Sequence, residues 1–129
     1  MTEDLTRILI VDDDANLLDI LVEGLRQHLA YQVEGARDGH DGLAKLGTFS
    51  PHLVILDLQL PGLDGLEICR KIKADPAMRP VKILAITARP EWTLHEQALE
   101  AGADGFLAKP FRLAELQAEV ARLVGAPRG

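Results

Sequence analysis

A chain of 129 residues holds one domain and is too short for two independent cores joined by a linker. Its 47% apolar and 26% charged residues supply enough hydrophobic material for a buried core, which excludes an intrinsically disordered chain. Fourteen Lys and Arg against 20 Asp and Glu leave a net charge of −6, the wrong sign for a domain that neutralises nucleic-acid phosphates by itself.

In chain order, Ile8-Leu9-Ile10-Val11 is a continuous apolar run that predicts a strand buried on both faces. Asp14 reads as the N-cap of the next element, a helix of about 14 residues whose Leu18, Leu21, Val22, Leu25 and Leu29 recur at helical spacing. Tyr31-Gln32-Val33-Glu34 alternates instead, as an edge strand does. A helix from about Asp38 to Leu46 follows, with Gly47 as its stop signal. Leu53-Val54-Ile55-Leu56 is a second buried run, and a helix from Asp64 to Ala74 closes at Asp75-Pro76. Val81 to Ile86 predicts a fourth strand, Glu91 to Glu100 a fourth helix ended by Gly102, and Gly105-Phe106-Leu107-Ala108 a weaker fifth strand. The last helix, Leu113 to Val124, carries the stripe Leu113, Leu116, Val120, Leu123 and Val124 and stops at Gly125. Cys69, at helical spacing from Leu66 and Ile72, is the single cysteine and reads as a core residue rather than a disulfide partner or zinc ligand.

Five strands and five helices in strict alternation define an α/β fold of the (βα)5 kind. Five units cannot close an eight-stranded barrel, so an open, doubly wound, flavodoxin-like parallel sheet remains. Strand order 2-1-3-4-5 puts the alternating strand on an edge, as its pattern asks. Right-handed crossovers gather the C-terminal ends of the strands on one rim, where sites in such sheets form. One domain is expected over residues 1–129, with its core at about 6–125, leaving no room in these residues for an output domain. With short apolar runs and no basic-then-apolar leader, the expected setting is cytoplasmic, with no membrane segment.

The residues immediately after the buried runs are Asp12, Asp13 and Asp14, then Asp57, Thr87 and Lys109. In the proposed strand order these converge. Crowded carboxylates repel one another unless a cation neutralises them, and an all-oxygen donor set favours a hard ion, Mg²⁺ before Zn²⁺. A carboxylate beside Mg²⁺, facing a lysine and a hydroxyl, is equipment for phosphoryl transfer. Asp57, on the central strand, is the candidate nucleophile. Each residue taken singly is an ordinary loop residue, and Asp14 is explained fully by capping; the weight lies in the coincidence of all the types on one rim.

At this point the sequence resembles the receiver domains of two-component response regulators over essentially its whole length. The matching segments are Ile8 to Asp14, Leu56 to Gly65, Thr87-Ala88 and Gly102 to Phe111. The resemblance implies that Asp57 accepts a phosphoryl group from a phosphohistidine on a sensor histidine kinase or a histidine phosphotransfer protein. It implies that Asp12, Asp13, Asp57 and the Gln59 backbone carbonyl hold Mg²⁺, with Mn²⁺ as the alternative, Asp13 ligating directly and Asp12 through water. Thr87 and Lys109 become the residues that sense the phosphoryl group. Thr87 and Phe106 become the switch, which changes the surface of the fourth helix, fifth strand and fifth helix; Phe106 also has a plain core reading. Lys109-Pro110 resembles the family's cis peptide. Gly62 and Gly65 fit the tight loop after the phosphorylation strand or serve as turn glycines. Trp92 is either a partner contact or a partly buried loop anchor.

Gln59, two residues past Asp57, and Arg89, two past Thr87, flank the path of water to an acyl phosphate and are expected to tune its lifetime. Three rival functions compare poorly. A phosphatase of the haloacid-dehalogenase type wants a second acid two residues past its nucleophile, where this chain has Gln59. A flavodoxin-like flavin carrier is opposed by the acidic first turn, which repels a phosphate. A receiver-like interaction module that never takes phosphate is opposed by the complete set Asp12, Asp13, Asp57, Thr87 and Lys109. The expectation is a signalling switch with self-catalysed phosphorylation and slow autodephosphorylation, not a turnover enzyme. It has an output partner the sequence does not name, no direct contact with nucleic acid, and a phosphorylation-dependent homodimer as one form of output.

Overall fold

The computed structural model describes residues 5–88 and 92–125. The main elements are β1 (Thr6–Val11), α1 (Ala15–Arg26), β2 (Tyr31–Ala36), α2 (Gly39–Phe49) and β3 (Leu53–Asp57). A short hairpin follows, β4 (Gln59–Leu60) with β5 (Leu63–Asp64), and then α3 (Gly65–Ala74), β6 (Lys82–Thr87), α4 (Trp92–Glu100), β7 (Gly105–Ala108) and α5 (Leu113–Val124). The five long strands form one parallel sheet in the order β2-β1-β3-β6-β7, the predicted order once the hairpin is set aside.

Strand residues point alternately to the two faces, so a strand covered on both sides must be apolar at every position. Leu9, Val11, Val54, Leu56, Ile83 and Ala85 pack on one face with Ile68, Cys69 and Ile72 of α3 and Ala98 of α4. Ile8, Ile10, Leu53, Ile55, Leu84 and Ile86 pack on the other with α1 and α5, through Leu18, Leu21, Leu25, Leu116 and Val120. Cys69 is fully buried, and burial pushes its thiol up to about 11. β2 is an edge strand, as its alternation predicts. Among the described residues no helix is long and apolar enough to cross a membrane.

Three local expectations are corrected. The first helix ends at Arg26, and Leu29, counted in its apolar stripe, is 94% exposed. The chain turns after Gln27 because His28 N donates to Leu25 O, Tyr31 N donates to His28 O, and the His28 ring stacks on Tyr31 at 4.0 Å. Gly47 does not stop α2, which runs two residues further to bury Phe49 and ends at Ser50, in the left-handed region at φ 52°, before Pro51. The segment after Asp57 is more than a loop: Gln59 pairs with Asp64 and Leu60 with Leu63, turning at Gly62, whose φ of 77° suits glycine. Two-residue strands carry too little periodicity to be read from sequence.

Candidate functional site

The C-terminal ends of β1, β3, β6 and β7 deliver their residues to one rim. Asp12 directly follows β1, and its backbone N donates to Ala36 O of β2 at 3.0 Å. Its carboxylate is fully buried: Oδ1 accepts from Asp14 N at 2.9 Å, and Oδ2 lies 2.9 Å from Lys109 Nζ. That Oδ2 is an ion-pair partner only, because no hydrogen bond of good geometry reaches it. Burial raises the Asp12 carboxyl above its ordinary range, partly offset by the Asp14 N–H and by Lys109.

Asp57 ends the central strand β3 and is buried. Its Oδ2 accepts from Lys109 Nζ at 3.0 Å, and its Oδ1 accepts from the backbone N of Gln59 at 2.8 Å. Lys109 follows β7; its backbone N donates to Thr87 O at 2.7 Å, and the Lys109–Pro110 peptide is cis. Burial pulls its ammonium down, but close contact with the Asp12 and Asp57 carboxylates and their negative charge outweigh that and hold it above its usual value. One ammonium thus bridges two buried carboxylates. Asp13 is exposed, and carboxylate oxygens of Asp12, Asp13 and Asp57 lie within 4.8 Å of one another.

This donor set fits a hard divalent cation. Among the described residues three carboxylates face a single lysine, and one buried carboxylate oxygen lacks a hydrogen bond. Asp14 does not join them: it caps α1, accepting from Asn16 N and Leu17 N at 3.1 Å.

Thr87 ends β6 and is fully buried. Its Oγ1 donates to Gln59 Oε1 at 3.0 Å, and Ala88 N donates to the same oxygen at 3.2 Å. Sequence reasoning placed Gln59 by its backbone carbonyl and its proximity to the phosphoryl path; it missed the side-chain contact, which no spacing rule encodes. Arg89 lies outside the described residues.

Phe106 on β7 pairs with Ala85 of β6 and is half-buried. Its ring stacks on His95 of α4 at 4.5 Å, and His95 meets the edge of Trp92 at 5.9 Å. Trp92 is 73% exposed, so it is no buried anchor. His95 was not singled out from the sequence, although its place on the helix before the Phe106 strand offered a weak signal.

The family model for the response regulator receiver domain matches residues 8–121. The chain belongs to the response regulator receiver family. Among curated relatives, this receiver domain is 41% identical over 121 residues to response regulator MprA of Mycolicibacterium vanbaalenii, covering 92% of this chain and 50% of the relative. It is 39% identical over 114 residues to the alkaline phosphatase synthesis transcriptional regulatory protein PhoP of Bacillus subtilis, covering 88% of this chain and 46% of that protein. The chain therefore spans about half the length of these relatives. Among solved structures it is similar to the signal receiver domain of a DNA-binding response regulator from Colwellia psychrerythraea, with a TM-score of 0.87 and 29% identity over 92% of this chain and 98% of that one. The receiver domain thus belongs to two-component signal transduction.

Proposed function

We propose that this receiver domain is a phosphorylation switch whose nucleophile is Asp57. The observation that carries the reading is the Lys109 ammonium bridging Asp57 Oδ2 at 3.0 Å and Asp12 Oδ2 at 2.9 Å, with Asp13 beside them. Paired in this way, the Asp57 carboxylate is held at the rim between Lys109 Nζ and the Gln59 backbone N–H. A carboxylate oxygen of Asp57 attacks the phosphorus of a phosphohistidine, the P–N bond breaks, and the imidazole nitrogen leaves with the bond's electron pair and takes a proton. Lys109 Nζ, already within reach, pairs with the charge that develops on the phosphoryl oxygens. Asp12, Asp13, Asp57 and the Gln59 carbonyl would hold Mg²⁺, or Mn²⁺, which when bound neutralises phosphoryl oxygens and the carboxylate cluster.

The Thr87 hydroxyl then supplies a hydrogen bond to the aspartyl phosphate. Phe106, half-buried against His95, repacks as the rim closes and so alters the face made by α4, β7 and α5. Gln59 and Arg89 set how readily water reaches the acyl phosphate. The donor is a sensor histidine kinase or a histidine phosphotransfer protein, and the output is a partner or second domain that reads the altered face, with homodimerisation as one such output. Phosphoryl transfer to self is the only chemistry this site needs; it is not a turnover enzyme.

The test is labelling with acetyl phosphate and Mg²⁺. The parent acquires an acid-labile, hydroxylamine-sensitive acyl phosphate at Asp57, and Asp57→Asn does not. Undiminished labelling of Asp57→Asn at another residue refutes the assignment.

A further inference from the structure

We propose that the Gln59 carboxamide is a built-in surrogate for a phosphoryl oxygen: before phosphorylation it occupies the donor pair that an incoming phosphoryl group has to win. The inference rests on Asp57 being the phosphoacceptor. It differs from the lifetime role above because it concerns the unphosphorylated chain.

Two donors from adjacent residues at the end of β6, Thr87 Oγ1 at 3.0 Å and Ala88 N at 3.2 Å, converge on the single atom Gln59 Oε1. A carboxamide oxygen has two lone pairs and takes both. Paired hydroxyl and backbone N–H donors aimed at one point are also what an oxyanion requires. The same residue is tied to the nucleophile through its main chain, since Gln59 N donates to Asp57 Oδ1 at 2.8 Å. Gln59 therefore spans from the reacting carboxylate to the donors across the gap from β3 to β6, the gap a phosphoryl group on Asp57 enters.

The contest has a definite winner. A phosphoryl oxygen carries more negative charge than a carboxamide oxygen and makes the stronger, charge-assisted hydrogen bond. Gln59 Oε1 must first release both donors, so its displacement is subtracted from what the phosphoryl group gains. Thr87 is fully buried, and a hydroxyl there needs acceptors at all times. The carboxamide serves that need while the site waits.

Gln59→Met keeps the length of the side chain and removes the acceptor; Gln59→Ala removes both. Two measurements test the proposal. In metal-free protein without any phosphodonor, the Ala88 amide proton is expected to move upfield in Gln59→Met, as an N–H does on losing an acceptor. With Mg²⁺ present, beryllofluoride is expected to bind both variants about fivefold more tightly than the parent, the size of one net neutral hydrogen bond. An unmoved Ala88 amide, or beryllofluoride affinity equal to or weaker than the parent's in both variants, overturns the surrogate. Beryllofluoride bound by neither parent nor variants instead refutes the phosphoacceptor reading on which it rests.

Discussion

Replacing Asp13 by Asn should stabilise the metal-free protein, and that gain should vanish once Mg²⁺ is bound. Without metal, three carboxylates crowd within 4.8 Å against one ammonium among the described residues, and Asp13 is the exposed member. At that separation and near-aqueous dielectric each like-charge pair costs about 1 kcal/mol, so losing two such repulsions and one attraction to the ammonium stabilises the metal-free chain by a net of roughly 1 kcal/mol. With Mg²⁺ at ten times its dissociation constant, linkage adds about 1.4 kcal/mol to the parent. For 129 residues, at about 2.1 cal/mol/K of unfolding entropy per residue, that raises Tm by about 5 °C. Asp13→Asn loses an anionic ligand, binds the ion at least tenfold more weakly, and gains less than about 2 °C at the same concentration. Thermal melts followed by circular dichroism, in chelator and across a Mg²⁺ titration, give all four numbers. A parent Tm indifferent to Mg²⁺, or equal Mg²⁺ shifts in parent and variant, refutes the assignment of this cluster as a cation site.

Gly65→Ala should cost about 2–3 kcal/mol in urea denaturation, because a Cβ there would meet Leu58 Cα at 2.5 Å, a backbone obstacle that cannot swing aside. A cost within 0.5 kcal/mol of zero, on the order of an ordinary surface change, would sink that steric reading. Cys69, fully buried with its thiol pushed up to about 11, should resist iodoacetamide at pH 8 until the chain unfolds, so labelling in native buffer at the rate of a small-molecule thiol contradicts its burial. The folded thiol holds its proton to higher pH than the unfolded one, whose ordinary value is 9.0, so stability is unaffected by Cys69 below pH 9 and is lost as pH climbs toward 11. That loss approaches about 3 kcal/mol, and Cys69→Ala should flatten the alkaline limb of a stability–pH curve. Leu29→Gln, at a 94% exposed position, should leave Tm within about 1 °C of the parent, whereas a drop of 5 °C would restore Leu29 to the core.

The sheet was legible because burial on two faces leaves a mark that short windows can detect. Leu9 and Val11 serve one layer while Ile8 and Ile10 serve the other, so four consecutive apolar residues admit few readings. Helix ends were less legible where tertiary contacts overrode local signals. Phe49 buries itself one helical position short of Ser50, and that burial carries α2 through Gly47, whose missing side chain leaves only open space. Leu29 sat at the correct spacing for a core stripe, but hydrogen bonds at His28 turn the backbone before it.

The same distinction separates the parts of the site. Asp12, Asp57, Thr87 and Lys109 were legible because each is placed by its backbone: once the strand order is known, the residue following a strand has one place to be. Gln59 is placed by torsions instead. Its main chain is held by the hairpin pairing with Asp64, but its three side-chain torsions could direct the carboxamide to solvent, to Lys109 or to β6. What draws it to β6 is the pair of donors there, the buried Thr87 hydroxyl and the exposed Ala88 N–H. The Thr87 hydroxyl and the Ala88 N–H converge on a point that no strand residue fills, and a carboxamide two residues past Asp57 has the length to reach it. A residue of that length and polarity therefore couples the loop after Asp57 to the end of β6, a link that an alanine there would not make.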